Sequence, residues 1–89
     1  MKDTAAITKR LKRIEGQIRG IIRMIEDEKA CEEVLIQISS AKAALQKTGQ
    51  LVLEDYLGQC VLEEARGGQN EEETLKKLTS AIEQFSRII

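Results

Sequence analysis

Cys31 and Cys60 are the only cysteines of this 89-residue sequence, which contains no histidine and no proline. Two thiols can form a disulfide, take up sulfur as a persulfide or polysulfide, or bind a soft metal ion. The pattern from Ala30 to Glu64 is typical of one long helix, which at ~1.5 Å of rise per residue holds the thiols roughly 43 Å apart. An antiparallel copy would place Cys31 of one chain beside Cys60 of the other, so the sequence predicts two equivalent dithiol sites across a two-fold dimer interface.

Cys31 is the better candidate for the reactive thiol. It is expected in the first turn of its helix, where unpaired backbone N–H groups and the helix dipole stabilise a thiolate. Lys29 supports ionisation, whereas Glu28, Glu32 and Glu33 oppose it. We therefore predict Cys31 as the attacking nucleophile and Cys60 of the partner subunit as the resolving thiol. The alternative is that both cysteines are ordinary small apolar residues.

Apolar residues recur at three- and four-residue spacing in three segments, which predicts an all-α fold with three helices. Phe85 and Tyr56 are the only aromatic residues. The core is therefore expected to be aliphatic, with no platform for stacking single-stranded nucleic acid. The predicted bounds are Asp3 or Thr4 to about Glu28, near Ala30 to a stop at Gly67-Gly68, and Asn70 as the N-cap of the last helix.

The first predicted helix has an apolar face and a basic face. The predicted apolar face comprises Ile7, Leu11, Ile14, Ile18, Ile21, Ile22 and Ile25. Residues 1 to 23 contain seven basic and two acidic side chains, although the whole chain has a formal net charge of −1. A polyanion would experience this local positive field, and the alternative is an ordinary solvated face. Gly16 and Gly20 on this face would allow close backbone approach. The predicted phosphate contacts are Lys9, Arg10, Lys12, Arg13, Arg19 and Arg23, with Gln17 as a polar reader.

The length of the chain predicts one domain, residues 1–89, that is incomplete as a monomer. A compact chain of this size has a diameter near 30 Å, whereas a 35-residue helix is about 52 Å long. Burial of the apolar face of such a helix therefore requires oligomerisation.

The sequence lacks the residues that several functional classes require. No apolar run approaches the ~18 residues of a membrane span, and the first residues are charged, so we expect a cytoplasmic protein without membrane contact. The sequence has no Ser/His/Asp set, phosphate loop or CxxC motif, which argues against an enzyme. No cofactor is expected, and zinc would require four donors where two thiols are present. A thiol oxidoreductase and a structural helical adaptor remain as alternatives.

The segment RLKRIEGQIRGIIRMIEDEKAC, which starts at Arg10, resembles the signature of the CsoR/RcnR family of small all-helical bacterial repressors. The resemblance continues through CEEVLIQISSAKAAL and covers nearly the whole chain. It implies an antiparallel four-helix core in the dimer, a dimer of dimers, and double-stranded operator DNA as a partner. It also implies that Lys42 matches a basic position on the second helix of the family.

The residues around the cysteines distinguish the branches of that family. The resemblance implies a Cys, His, Cys pattern for the copper sensors. In this sequence Tyr56 stands at the position of that histidine. The resemblance implies further histidines for the nickel and cobalt sensors, and this chain has none. It implies a Pro-Cys-His arrangement that begins at the second residue for the formaldehyde sensors, and the second residue here is Lys2. The two-cysteine pattern without histidine is similar to the persulfide-sensing CstR branch. It implies that low-molecular-weight persulfides bridge Cys31 and Cys60 and release the operator; the alternative inducer is Cu(I) held by the two thiolates.

Overall fold

The computed structural model describes residues 3–65, 67 and 71–88. The described chain forms three α-helices, which confirms the predicted all-α fold. The predicted first helix is two residues too long, and the second begins one residue after Ala30. The predicted stop at Gly68 and the cap at Asn70 lie outside the described residues. The helices are α1 (Thr4–Glu26), α2 (Cys31–Ala65) and α3 (Glu71–Ile88).

Contacts within the chain divide it into two compact units, and α2 contributes to both. The first unit is Thr4–Thr48, and the second takes in Asp3 and the residues from Gly49 onward. The helix itself continues through Gly49 and Gly58. A single domain over residues 1–89 stays a prediction.

The first unit is an antiparallel pair of helices. Ile14 of α1 shares a cleft with Ala44 of α2, and Ile25, farther along α1, shares another with Val34, earlier in α2. A short connection between helices produces this arrangement.

The centre of this helix pair contains few fully buried side chains. The buried apolar residues are Ile7 and Ile14 on α1 and Ala41 on α2, and Thr48 is also buried, at 3% exposure. The Thr48 hydroxyl donates a hydrogen bond of 2.8 Å to the carbonyl oxygen of Ala44, one turn earlier. This bond removes the penalty of burying a free hydroxyl. The small residues of α2 therefore form the surface that packs against α1.

A second row of apolar side chains remains on the surface of the first unit. Ile22 is 52% exposed and Ile25 is 59% exposed, although both belong to the predicted apolar face of α1. One chain therefore covers only part of that face. We call the exposed large apolar side chains of this unit the apolar stripe; they are Leu11, Ile18, Ile22 and Ile25 on α1 with Leu35, Ile36, Ile38 and Leu45 on α2.

The turn between α1 and α2 is closed by backbone hydrogen bonds. The N–H of Lys29 donates to the carbonyl of Met24 at 3.0 Å, and the N–H of Glu28 donates to that of Ile25 at 3.1 Å. These two bonds form a Schellman motif, in which the residue after the helix adopts a left-handed conformation. That residue is Glu28, with φ of 54°. The turn thus fixes where α2 begins.

The second unit contains the later part of α2 and α3. The ring of Phe85 lies against Gly49, where a Cβ atom would come within 2.6 Å of the ring Cζ. Two ion pairs lie along α3, Glu72 with Lys76 at 4.0 Å and Glu73 with Lys77 at 3.6 Å. All four side chains are largely exposed, so these pairs contribute little to stability. Phe85 is therefore a contact by which α3 packs on α2.

No helix in the described part of the chain is both long and apolar enough to cross a bilayer. The expected cytoplasmic location stays a prediction.

Candidate thiol site and basic helix face

Cys31 is the first residue of α2, and its side chain is exposed with a free thiol. The helix starts here because the N–H of Val34 donates to the carbonyl of Ala30 at 3.2 Å, which is its first helical hydrogen bond. The backbone N–H groups of the first turn have no earlier partner within the helix and favour negative charge. The predicted position of Cys31 in the first turn is therefore confirmed.

Cys31 borders a cleft of about 310 Å³ in the first unit. The other lining residues are Ile25 from the end of α1, Lys29 from the turn, and Val34 and Leu35 from α2. The lining is mostly apolar, and Lys29 supplies its single charged group. A thiophilic species could thus reach Cys31 through a largely apolar cleft that Lys29 borders.

The side chain of Cys60 lies outside the described part of the structure. Tyr56, one turn earlier on α2, is half-buried in the second unit. The described residues contain no group of three or more His, Cys, Asp or Glu side chains that could hold a metal ion. A metal ion at Cys31 would therefore need a donor from elsewhere, and the pairing of Cys31 with Cys60 of a partner subunit stays a prediction.

The basic side chains predicted to contact DNA are all accessible to a partner. Arg23 lies in the last turn of α1, and the first turn of that helix contains no acidic residue. The exposed basic residues are Lys9, Arg10, Lys12, Arg13, Arg19 and Arg23 on α1 and Lys42 on α2.

Gln17, predicted as a polar reader, is less exposed than the basic residues around it. Its side chain is half-buried, and its Oε1 atom is fully buried with no hydrogen-bond partner among the described residues. The reason is its spacing, because Gln17 follows the buried Ile14 by three residues and shares its side of the helix. This spacing is the sequence signal from which partial burial could have been predicted. The role of Gln17 as a polar reader stays a prediction.

Gly16 and Gly20 have open space beside them. A Cβ atom at Gly20 would meet nothing within 4 Å, and one at Gly16 would meet only the guanidinium of Arg19 at 3.9 Å. The close backbone approach predicted at these glycines is therefore absent within the described chain. The space remains available to another molecule.

The chain matches known proteins over nearly its whole length. The family described as "Metal-sensitive transcriptional repressor" matches residues 3–84. The copper-sensing transcriptional repressor CsoR of Bacillus subtilis (strain 168) is 37% identical over 86 residues, covering 97% of this chain and 84% of that protein. The copper-sensing transcriptional repressor RicR of Mycobacterium tuberculosis (strain ATCC 25618 / H37Rv) is 42% identical over 80 residues, covering 89% and 83%.

Two solved structures have the same fold. The copper-sensing repressor CsoR with Cu(I) from Geobacillus thermodenitrificans NG80-2 gives a TM-score of 0.84 at 42% identity, covering 97% of this chain and 88% of that chain. The nickel-responsive transcriptional regulator InrS gives a TM-score of 0.81 at 37% identity, covering 91% and 90%. Both the family match and these identities extend over the helices that hold Cys31 and the basic face. The chain therefore belongs to the family of metal-sensitive transcriptional repressors.

Proposed function

We propose that this protein represses transcription by binding operator DNA and that Cu(I), bound by Cys31 and Cys60 of the partner subunit, releases it. The observation that carries the proposal is the 42% identity, over 97% of the chain, to a copper-sensing repressor solved with Cu(I). The named relatives that sense copper favour this inducer over the persulfide suggested by the cysteine pattern.

The donor chemistry of this chain fits Cu(I) only with low coordination. Thiolates are soft ligands that select Cu(I), and two of them can hold this ion in a linear arrangement. Cys31 offers one exposed thiol, and no described cluster offers three donors. Two thiolates with one Cu(I) have a net charge of −1, which the ammonium of Lys29 in the same cleft would offset.

The cleft at Cys31 also supplies a route from inducer to DNA. Ile25, in the last turn of α1, lines the cleft together with Cys31, so an occupant would contact the helix that bears the basic face. Arg23 lies two residues before Ile25 in the same turn. A bridge between subunits would move these elements relative to the operator. Couplings of this kind are typically worth about 1–3 kcal/mol.

A persulfide is the second candidate inducer, and the donor set favours it. The chain contains no histidine, and Tyr56 stands at the position where the family resemblance implies a histidine in the copper sensors. The Cys31 thiolate would attack the outer sulfur of a low-molecular-weight persulfide, giving a Cys31 persulfide and releasing the small thiolate. The Cys60 thiolate of the partner subunit would then attack the Cys31 sulfur, forming a disulfide and releasing hydrosulfide. The outer sulfur is reduced in this sequence, so no further oxidant is needed.

A direct comparison of the two inducers tests the proposal. Operator affinity is measured by fluorescence anisotropy on the reduced protein, with Cu(I) supplied from a chelator buffer in one arm and glutathione persulfide in the other. We expect Cu(I) at one ion per dithiol site to release the DNA, and Cys31→Ala and Cys60→Ala each to abolish this response. Retention of the operator by the Cu(I)-treated protein would contradict the copper assignment.

The covalent product distinguishes the persulfide alternative. If persulfide is the inducer, a non-reducing gel shows a crosslinked dimer that dithiothreitol reverses, and the intact mass of this dimer corresponds to a disulfide without added sulfur. Cys60→Ala would then retain a modified Cys31 without the crosslink. Failure of both inducers to change operator affinity would contradict thiol-based sensing as a whole.

A further inference from the structure

We propose that the turn between α1 and α2, residues 27–30, is a two-state switch that connects the thiol site to the basic helix. In the closed state, which the structure shows, Glu28 is left-handed and the turn is bonded to the end of α1. In the open state Glu28 leaves that conformation and these bonds are released. The proposal rests on the proposed function, because it describes how occupation at Cys31 would act on operator binding.

Backbone hydrogen bonds leave this turn little freedom. The N–H of Asp27 donates to the carbonyl of Arg23 at 2.9 Å. The N–H groups of Glu28 and Lys29 donate to carbonyls of the last turn of α1 at 3.1 and 3.0 Å. The carbonyl of Ala30, the next residue, already accepts the first hydrogen bond of α2. A displacement of the first residue of α2 is therefore transmitted to the end of α1, where Arg23 lies.

Two residues take part both in these hydrogen bonds and in the cleft at Cys31. Ile25 lines the cleft, and its carbonyl accepts the N–H of Glu28. Lys29 lines the same cleft, and its N–H donates to the carbonyl of Met24. A group bound to the Cys31 sulfur and filling the cleft would therefore contact the acceptor residue of one bond and the donor residue of the other.

The conformation of Glu28 brings the closed and open states close in free energy. Its φ of 54° is unfavourable for a residue with a Cβ atom. The two hydrogen bonds of the Schellman motif offset this cost, and both require the left-handed residue. A ligand shifts such an equilibrium by its differential affinity for the two states, so a nearly balanced element responds to a modest difference. The Cys31 thiol is free in the closed structure, which assigns the closed state to the form that binds the operator.

Substitutions at Glu28 test the switch with opposite signs. Glu28→Gly favours the left-handed conformation, and Glu28→Val disfavours it because a β-branched side chain is strained there. Glu28→Gln is the matched control, since it removes the same charge and keeps the Cβ atom. Operator affinity of the parent and the three variants is measured by fluorescence anisotropy, reduced and then with Cu(I) from a chelator buffer. Circular dichroism verifies that each variant folds.

The two variants should differ in opposite directions from Glu28→Gln. Without Cu(I), Glu28→Val should bind the operator about 10-fold more weakly than the control, as if already induced. Glu28→Gly should bind like the control without Cu(I), and its loss of affinity on addition of Cu(I) should be about 10-fold smaller than in the parent.

Hydrogen exchange followed by NMR gives a readout apart from operator binding. The backbone amides at positions 28 and 29 should be protected in the reduced parent, because both are hydrogen-bonded in the closed turn. They should exchange faster when Cu(I) is bound and stay protected in Glu28→Gly. A purely structural role of Glu28 would not make this exchange depend on the inducer.

Several outcomes would overturn the switch. Equal Cu(I) responses of Glu28→Gly and Glu28→Gln would do so and leave the proposed function standing, and if Glu28→Val does not fold this comparison decides alone. Rapid exchange at positions 28 and 29 in the reduced parent would also do so. Retention of the operator by the Cu(I)-treated parent would contradict the copper assignment. The exchange measurement is then repeated with glutathione persulfide, and protection unchanged by both inducers would overturn the switch.

Discussion

The ring of Phe85 in α3 occupies the space into which a side chain at Gly49 in α2 would project. Alanine is normally favoured over glycine inside a helix by about 1 kcal/mol. We predict the opposite sign for Gly49→Ala, because its Cβ would collide with the ring Cε1 and Cζ atoms and displace Phe85. Urea unfolding followed by circular dichroism should show a loss of about 1–3 kcal/mol, as for an overpacked core.

Gly58 supplies the matched control for this prediction. It lies inside the same helix, and a Cβ atom there would meet nothing within 4 Å. Gly58→Ala should therefore stabilise the protein by up to about 1 kcal/mol. If Gly49→Ala and Gly58→Ala raised the free energy of unfolding by the same amount, the packing of Phe85 on Gly49 would make no measurable contribution to stability.

The left-handed residue at the end of α1 gives a second stability prediction. Glu28 has φ of 54°, a conformation that strains a residue with a Cβ atom and suits glycine. Glu28→Gly should raise the free energy of unfolding by about 1 kcal/mol, because relief of this strain exceeds the added entropy of the unfolded chain. Thermal unfolding of this variant is compared with that of Glu26→Gly, a change inside the helical region. The comparison separates the relief of strain from the added entropy of the unfolded chain. A decrease for Glu28→Gly would contradict the assignment of strain.

The apolar stripe predicts self-association. Side chains as exposed as Ile22 and Ile25 on one helix require cover from another chain. Light scattering at micromolar protein should give the mass of a dimer or tetramer, with a tetramer expected from the family resemblance. Ile22→Lys should lower that mass, whereas Lys47→Glu, on an exposed position outside the stripe, should not. A parent mass near 10 kDa would contradict both the assembly and the cross-subunit thiol site.

Operator binding should depend steeply on salt. Each phosphate neutralised by a basic side chain releases a counterion and adds about 0.9 to the steepness of log affinity against log salt. Arg13→Ala and Lys12→Ala should each weaken binding and make this dependence shallower, because both side chains are exposed on α1. Helical content and oligomer mass should not change. Unfolding of either variant would mean that the basic face is structural.

Helical periodicity predicted the elements well because capping residues and apolar spacing are local signals. It placed Cys31 in the first turn of α2 and Ile7 and Ile14 on the apolar face of α1, as the structure has them. It did not separate Ile14, which α2 covers, from Ile22, which lies on the apolar stripe. Which residues are covered depends on the direction in which α2 crosses the apolar face of α1. This direction is a tertiary property that residue spacing alone does not contain.

The same limit explains why the partial burial of Gln17 and the role of Gly49 were not predicted. A glutamine beside arginines indicates a polar face, yet Gln17 lies at the boundary where α1 meets α2 and is partly covered. From the sequence, Gly49 is only a helix-weakening residue, because its partner Phe85 lies 36 positions later in the chain. Interactions over such separations are set by packing and have no local signature.

The division of α2 at Thr48 and Gly49 has a consequence for how this repressor can diversify. Cys31, Lys42 and the basic residues of α1 lie in one compact unit, whereas Tyr56 is in the other. Under the proposed function, a substitution at Tyr56 would change the donors offered to the inducer and leave the residues proposed to hold the operator unchanged. Lineages could exchange one chemical stimulus for another by a few changes late in α2 and keep the same set of target promoters.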